Sequence, residues 1–217
     1  MKILIIGATG MAGQSLTQLA VAQGFSVTAN GRNAEKLAQL QQRYPAITPL
    51  VADAFSLTKS QLTQFDVVID AFATSPDQAY LHVDLATHLV ACLRNQTKPR
   101  LAFILGAGSL KTGANRHNLV DDIIADPANQ AWQAIPQNQL AELDFLKQVD
   151  NVNWFGISPG ITFEDGPASE QIITGTDDLL FNSADQSVTT SGTMAQAMLS
   201  EIQHPQHHQS RFTIINA

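Results

Sequence analysis

Cysteine is almost missing from this sequence: Cys92 is the single one in 217 residues. One thiol cannot close an internal disulfide, so a disulfide scaffold is excluded and a reducing cytoplasm is the expected compartment. Charge is also sparse, at 14% of residues, and the net value of −7 leaves no basic surface. The Lys and Arg residues are scattered, which argues against nucleic acid, since duplex affinity rests largely on cations meeting phosphates. The apolar stretches are interrupted by Gly, Asn or Gln before they reach the ~18 residues of a membrane span, so no membrane partner is expected. Lys2 leads straight into a short strand and then glycines, unlike a secretory signal. The segment His204-Pro205-Gln206-His207-His208-Gln209 has no acidic or cysteine partner at ligand spacing. It reads as a solvated loop rather than a metal site.

What is present is enough apolar material, 44% of residues, for one well-filled domain over 1–217. Ile3-Leu4-Ile5-Ile6 is a continuous apolar run of the kind buried on both faces of a parallel sheet. A helical spacing follows from Met11 to Gln23, closed by Gly24, and then a strand from Phe25 to Ala29. Asn33 begins a helix through Leu37 and Leu40 that Tyr44-Pro45 ends. Further strands are expected at Ile47–Val51, Phe65–Ala71, Leu101–Leu105 and Val152–Ile157, with helices at Tyr80–Leu93 and Gln139–Val149. This alternation predicts an α/β fold, a Rossmann-type doubly wound parallel sheet with its ligand at the carboxyl ends of the strands. Residues 158–217 read as a short substrate-side extension: a turn-rich stretch over Gly166–Gly175, a helix near Thr193–Ile202 and a last strand at Phe212–Ile215.

Between the first strand and first helix stands Gly7-Ala8-Thr9-Gly10-Met11-Ala12-Gly13. Gly7 permits a tight turn, Gly10 clears a path for a pyrophosphate to the backbone, and Gly13 lets the helix pack on the sheet. The N–H groups opening the helix, around Met11, then hold the phosphates with the positive end of its dipole, and Thr9 adds a hydroxyl. At the end of the second strand comes Asn30-Gly31-Arg32-Asn33, with no acid before Glu35. A carboxylate there selects a ribose 2′-hydroxyl, whereas an arginine suits a 2′-phosphate. Arg32 therefore favours NADP(H), with NAD(H) still possible. Asn33 is the helix cap, a second phosphate donor, or both, and Lys36 is within reach of the same group.

The Gly-x-x-Gly-x-x-Gly spacing resembles that of the extended and atypical short-chain dehydrogenase/reductase families. Gly31-Arg32-Asn33-Ala34-Glu35-Lys36, Asp66-Val67-Val68-Ile69-Asp70-Ala71 and Asn153-Trp154 leading to Ser158-Pro159 extend the likeness. In the tail it is carried by Asp178-Leu179-Leu180, Glu201-Ile202, His204-Pro205 and Arg211-Phe212-Thr213-Ile214. On these residues the chain resembles the NADH-flavin reductase group of the atypical short-chain dehydrogenases. More broadly it is similar to the NAD(P)H-binding family that includes biliverdin reductase B and nitrogen-metabolite-repression regulators. The resemblance implies that Asp53 meets the adenine, that Ala71, Phe72 and Ala73 approach the ribose, and that Ser109 faces the substrate.

The wider superfamily uses a tyrosine with a lysine four residues later as its acid–base pair. The chain has two tyrosines; Tyr44 is followed at that spacing by Thr48 and Tyr80 by Asp84. The segment Ile135–Lys147 offers Gln137, Asn138, Gln139 and Glu142 instead. Hydride transfer to a flavin, quinone or similar planar acceptor does not need the pair, because the protein has only to orient two rings and exclude water. Ser109 either donates a hydrogen bond to that acceptor or satisfies its own turn. His117 and Glu142 are proton carriers or else surface and capping residues. Trp132, Phe163 and Met11 form either an apolar wall for a flat ring or part of the core. Two functions remain: an NAD(P)H-dependent reductase of a planar acceptor, or a non-catalytic NADP(H) sensor acting through a protein partner. An apolar pocket lined by the loops after Gly106 and Gly160 would favour the first.

Overall fold

The computed structural model describes residues 1–217. In chain order the elements are β1 (Lys2–Ile6), α1 (Met11–Ala22), β2 (Ser26–Gly31), α2 (Ala34–Arg43), β3 (Thr48–Val51), α3 (Lys59–Leu62), β4 (Val67–Asp70), α4 (Leu81–Leu93) and β5 (Arg100–Ile104). There follow β6 (Lys111–Thr112), β7 (His117–Asn118), α5 (Leu119–Ala125), α6 (Ala134–Leu146), β8 (Trp154–Ser158), β9 (Thr162–Glu164), β10 (Ile172–Gly175), β11 (Val188–Thr190), α7 (Ser191–Gln203) and β12 (Ser210–Asn216).

Eight strands form one sheet in the order β10-β12-β8-β5-β4-β1-β2-β3. Every pairing in it is parallel except β10 with β12. Helices cover both faces, and the alternation of β1 shows how one apolar run serves both. Ile3 and Ile5 pack with Leu16 and Ala20 of α1 and Met194 and Met198 of α7. Leu4 and Ile6 face the other way, toward Leu85 and Leu89 of α4 and Leu143 of α6. Such double burial is why the run carries no polar residue. The chain moves outward from β1 in both directions, to β2 and β3 on one side and to β4 and β5 on the other. The crevice where the winding reverses is therefore at the carboxyl end of β1.

Two expectations from the sequence are modified. The turn-rich stretch Gly166–Gly175 ends in an edge strand, β10, whose pattern was masked by its own glycine and threonine; it is recognisable only by its partner, β12. Helix α6 starts at Ala134, ahead of Gln139, because Pro136 lies in its first turn, where a missing N–H leaves no bond unmade. The polar stretch before it forms the β6–β7 hairpin and α5.

The tail divides between two tasks. Helix α7 packs on α1, and β12 is an interior strand, while β9, β11 and Pro159–Ile161 sit at the carboxyl edge. At the opposite edge the histidine-bearing segment, read as a solvated loop, is partly drawn inward. His207 Nδ1 lies 2.8 Å from Glu201 Oε2 and its ring stacks on Phe212 at 4.0 Å. Arg100 Nη2 donates to Glu201 Oε1 at 2.7 Å, and the guanidinium lies over Phe155. A buried carboxylate needs such partners, and Glu201 recruits them from β5 and from the loop.

Candidate cofactor and substrate site

The turn after β1 is shaped by backbone crowding. Gly7 has φ +74°, and a Cβ there would strike the carbonyl of Ala71. A Cβ on Gly13 would strike the carbonyl of Gly7 and lie 2.7 Å from Ala8 Cα. Gly10 occupies the N-cap of α1 and offers no side chain there. The backbone N–H of Gly10 is used inside the turn, on Gly7 O at 2.9 Å. Those of Met11, Ala12 and Gly13 bind nothing in the protein. Three free donors at the positive end of a helix, next to a surface stripped of side chains, fit a pyrophosphate.

Beside this turn lies a cleft of about 300 Å³ lined by Gly7, Thr9, Gly10, Gly31, Arg32, Lys36, Asp53, Ala71, Phe72 and Ala73. The structure thus brings together eight of the expected contact residues from four loops, with Gly31 added from β2 and Lys36 from α2. Arg32 is exposed and paired with no carboxylate, so its guanidinium is free for an anion. Asn33 caps α2, its Oδ1 accepting from Lys36 N at 2.9 Å, and it does not line the cleft. Asp53 lines the cleft while its Oδ1 accepts from Phe55 N at 3.1 Å. Sequence reasoning missed Asn30, which is buried at the end of β2. Its Nδ2 donates to Leu50 O at 3.1 Å and Ala52 O at 3.0 Å, holding the segment that presents Asp53.

A second cavity, about 540 Å³, opens from the first and shares Gly10, Ala71, Phe72 and Ala73 with it. Its walls come from Met11, the loop Gly106–Gly108, Leu119, Ile123, Trp132, Ile135, Pro136, Pro159–Ile161 and Phe163. Met11, Trp132 and Ile161 are also among the large apolar side chains left most open to solvent, at 36%, 42% and 52%. Exposed apolar groups gathered around one concave surface mark a ligand site. Met11, Trp132 and Phe163, whose role the sequence leaves open, meet here as its wall.

Ser109, the expected substrate-facing hydroxyl, is not brought to this cavity. It is buried, and its Oγ donates to Gly106 O at 3.0 Å, so the tight turn after β5 consumes the group. His117 lies on the β6–β7 hairpin, 2.8 Å from Asp122 Oδ1, also away from the cavity. Sequence reasoning also missed His82, near the start of α4. It lines the cavity, with its ring edge-on to Phe72 at 5.5 Å. Behind it His82 Nδ1 stands 3.9 Å from Glu142 Oε2, and Asp70 ends the adjoining strand. Burial pushes the His82 ring down to about 4 and the Asp70 carboxyl up to about 6, although the Phe72 N–H at 2.9 Å opposes the latter. Burial, and next the charge of Asp70, push the Glu142 carboxyl well above the usual carboxylate range. His82 and Glu142 lie far apart in sequence on two helices, so no local pattern pairs them.

Comparison with known proteins agrees with this geometry. A model of the NAD(P)H-binding family matches residues 7–205. The chain belongs to that family. It is 34% identical to YwnB of Bacillus subtilis, an uncharacterised protein, over all of this chain and 99% of that one. A solved Lactobacillus casei protein is 37% identical, with a TM-score of 0.92 and full coverage of both chains. A Streptococcus pneumoniae structure named a putative NADH-flavin reductase is 28% identical, with a TM-score of 0.88 and full coverage of both. The expected α/β fold with a mostly parallel sheet is thus met in sequence and structure, and the atypical short-chain dehydrogenase resemblance with it. No helix is long and apolar enough to cross a membrane.

Proposed function

We propose that this member of the NAD(P)H-binding family is an NADPH-dependent reductase of a flavin, quinone or similar planar acceptor. The observation that carries the reading is the apolar cavity opening directly from the dinucleotide cleft, walled by the loops after Gly106 and Gly160. A sensor that only reports cofactor occupancy has no need of a second, apolar cavity of about 540 Å³ beside the first. The name of the Streptococcus pneumoniae relative supports the same class of acceptor. By the same reading, a reducing cytoplasm suits the unpaired Cys92.

A bound nicotinamide dinucleotide would supply a hydride. The chain's part is to hold and orient. The free N–H groups of Met11, Ala12 and Gly13 bind the pyrophosphate, and Thr9 lies beside them. Arg32 and Lys36 face the adenosine end, where their charges favour a 2′-phosphate, while Asp53 receives the adenine. Ala71 and Ala73 let the dinucleotide pass close to the backbone into the second cavity. There Met11, Trp132 and Phe163 stack against a flat acceptor and keep water from its reacting face. The test is stopped-flow NADPH oxidation with FMN, FAD and a simple quinone. Saturable oxidation with one of them supports the reading. Tight NADPH binding without oxidation above the uncatalysed rate refutes it and leaves the sensor.

A further inference from the structure

Reduction of a planar acceptor by hydride leaves it one proton short, and the superfamily's tyrosine–lysine pair is absent from this chain. The cavity wall contains one group able to make up the difference. His82 lines the acceptor cavity, and neither of its ring nitrogens makes a hydrogen bond within the protein. Glu142, on the neighbouring helix α6, is 97% buried, given its 3% exposure, and its Oε2 has no hydrogen-bond partner. That orphaned oxygen is 3.9 Å from His82 Nδ1, less than about 1 Å outside hydrogen-bond reach. A sealed carboxyl without a partner is costly unless it is protonated or serves a purpose.

We infer that His82 is the general acid of the reaction, passing to the reduced acceptor a proton replaced from the buried carboxyl of Glu142. The inference rests on the reductase reading above. In the step, the acceptor has gained two electrons and one hydrogen nucleus as hydride and carries one added negative charge. The ring N–H of His82 that faces the cavity gives its proton to the acceptor. The carboxyl O–H of Glu142 gives its proton to the other ring nitrogen, Nδ1. His82 ends neutral in its other tautomer, Glu142 ends as carboxylate, and a solvent proton restores both after product leaves. Net, one solvent proton enters the product, and no further redox partner is required.

The surroundings favour this direction. Glu142 from α6 is the titratable group beside His82, Asp70 at the end of β4 bears on Glu142, and no lysine or arginine pairs with any of the three. Burial without a cation raises the Glu142 carboxyl and lowers the His82 ring, and both shifts favour the states from which the relay starts, a protonated acid beside a neutral imidazole. The roles differ: His82 touches the acceptor's cavity, whereas Glu142 acts only through His82.

The experiment combines infrared titration of the cofactor-free protein with turnover of three variants. Wild type, His82→Gln and Glu142→Gln are compared with the best of FMN, FAD and quinone, with NADPH fluorescence and thermal unfolding reporting an intact fold. We expect a protonated-carboxyl stretch at pH 7 that disappears in Glu142→Gln. Acceptor reduction should slow by roughly a hundredfold in His82→Gln. In Glu142→Gln the alkaline limb of the pH profile should be lost. NADPH affinity should stay within about twofold in both, because neither side chain touches the dinucleotide cleft. Absence of the carboxyl stretch in wild type at pH 7 overturns the relay whatever the turnover, and needs no variant to fold. Turnover unchanged in both variants overturns the proton role and leaves the reductase reading intact. No turnover by wild type with any acceptor overturns both.

Discussion

Replacing Arg32 with alanine separates a cofactor-specific contact from general binding. Arg32 pairs with no acidic side chain, so its removal breaks no internal ion pair and leaves no buried partner stranded. Its effect is then confined to the anion it meets. A charge-assisted hydrogen bond contributes a net of about 1.5–3 kcal/mol. The cleft is open to water and Lys36 remains beside it, which holds the loss to the lower part of that range. At about 1.4 kcal/mol per decade, the dissociation constant for NADPH should rise roughly ten- to thirtyfold. NADH, which lacks the 2′-phosphate, should change by less than about twofold. Fluorescence titration with both cofactors at two salt concentrations measures this, and the difference between them should shrink as salt screens the exposed charge. Equal losses for NADPH and NADH would refute the 2′-phosphate role and return Arg32 to the surface.

Other expectations follow from the same geometry. Gly13→Ala places a methyl against the Gly7 carbonyl and Ala8 Cα, both backbone, so denaturant unfolding should show a loss of about 1–3 kcal/mol and NADPH binding should fall with it. Trp132→Ala removes an exposed wall of the apolar cavity; the KM for a planar acceptor should rise about two- to tenfold while NADPH affinity is kept. Asp70 has a folded value raised to about 6, so the native state holds more protons than the unfolded chain from about pH 4 to 6. Its contribution to stability therefore falls as pH rises through that window. Asp70→Asn, which keeps the acceptor for Phe72 N–H, should stabilise the protein by about 1–3 kcal/mol at pH 8 and by little at pH 4. Parallel thermal scans at the two pH values check the sign; stabilisation confined to pH 4 would contradict it.

The dinucleotide half of the site was legible in the sequence because its determinants are local. A glycine turn between an apolar run and a helix is a single stretch of chain, from Gly7 to Gly13. The charge at the end of β2 is fixed two residues past Asn30. Backbone sterics and helix termini act over a few residues, so spacing alone carries them. The doubly wound parallel architecture followed from the alternation of strands and helices. The edge strand β10 did not, because Ile172–Gly175 gains its identity only by pairing with β12.

The apolar cavity beside it was decided by tertiary structure. Met11, Trp132, Ile161 and Phe163 are separated by up to 152 positions, yet line one cavity. Nothing in their local patterns distinguishes a cavity wall from core. Ser109 stands where the resemblance places a substrate-facing serine, but the turn after β5 folds its hydroxyl back onto Gly106. His82 reads as an ordinary helical position, and Glu142 as a proton carrier or a surface residue, until α4 and α6 pack side by side on one face of the sheet. Packing of distant helices decides which polar groups lose water, and loss of water sets their protonation. The sequence by itself therefore marked a nicotinamide dinucleotide as the cofactor and the glycine turn proposed to hold it. Only the folded chain decided what stands beside it.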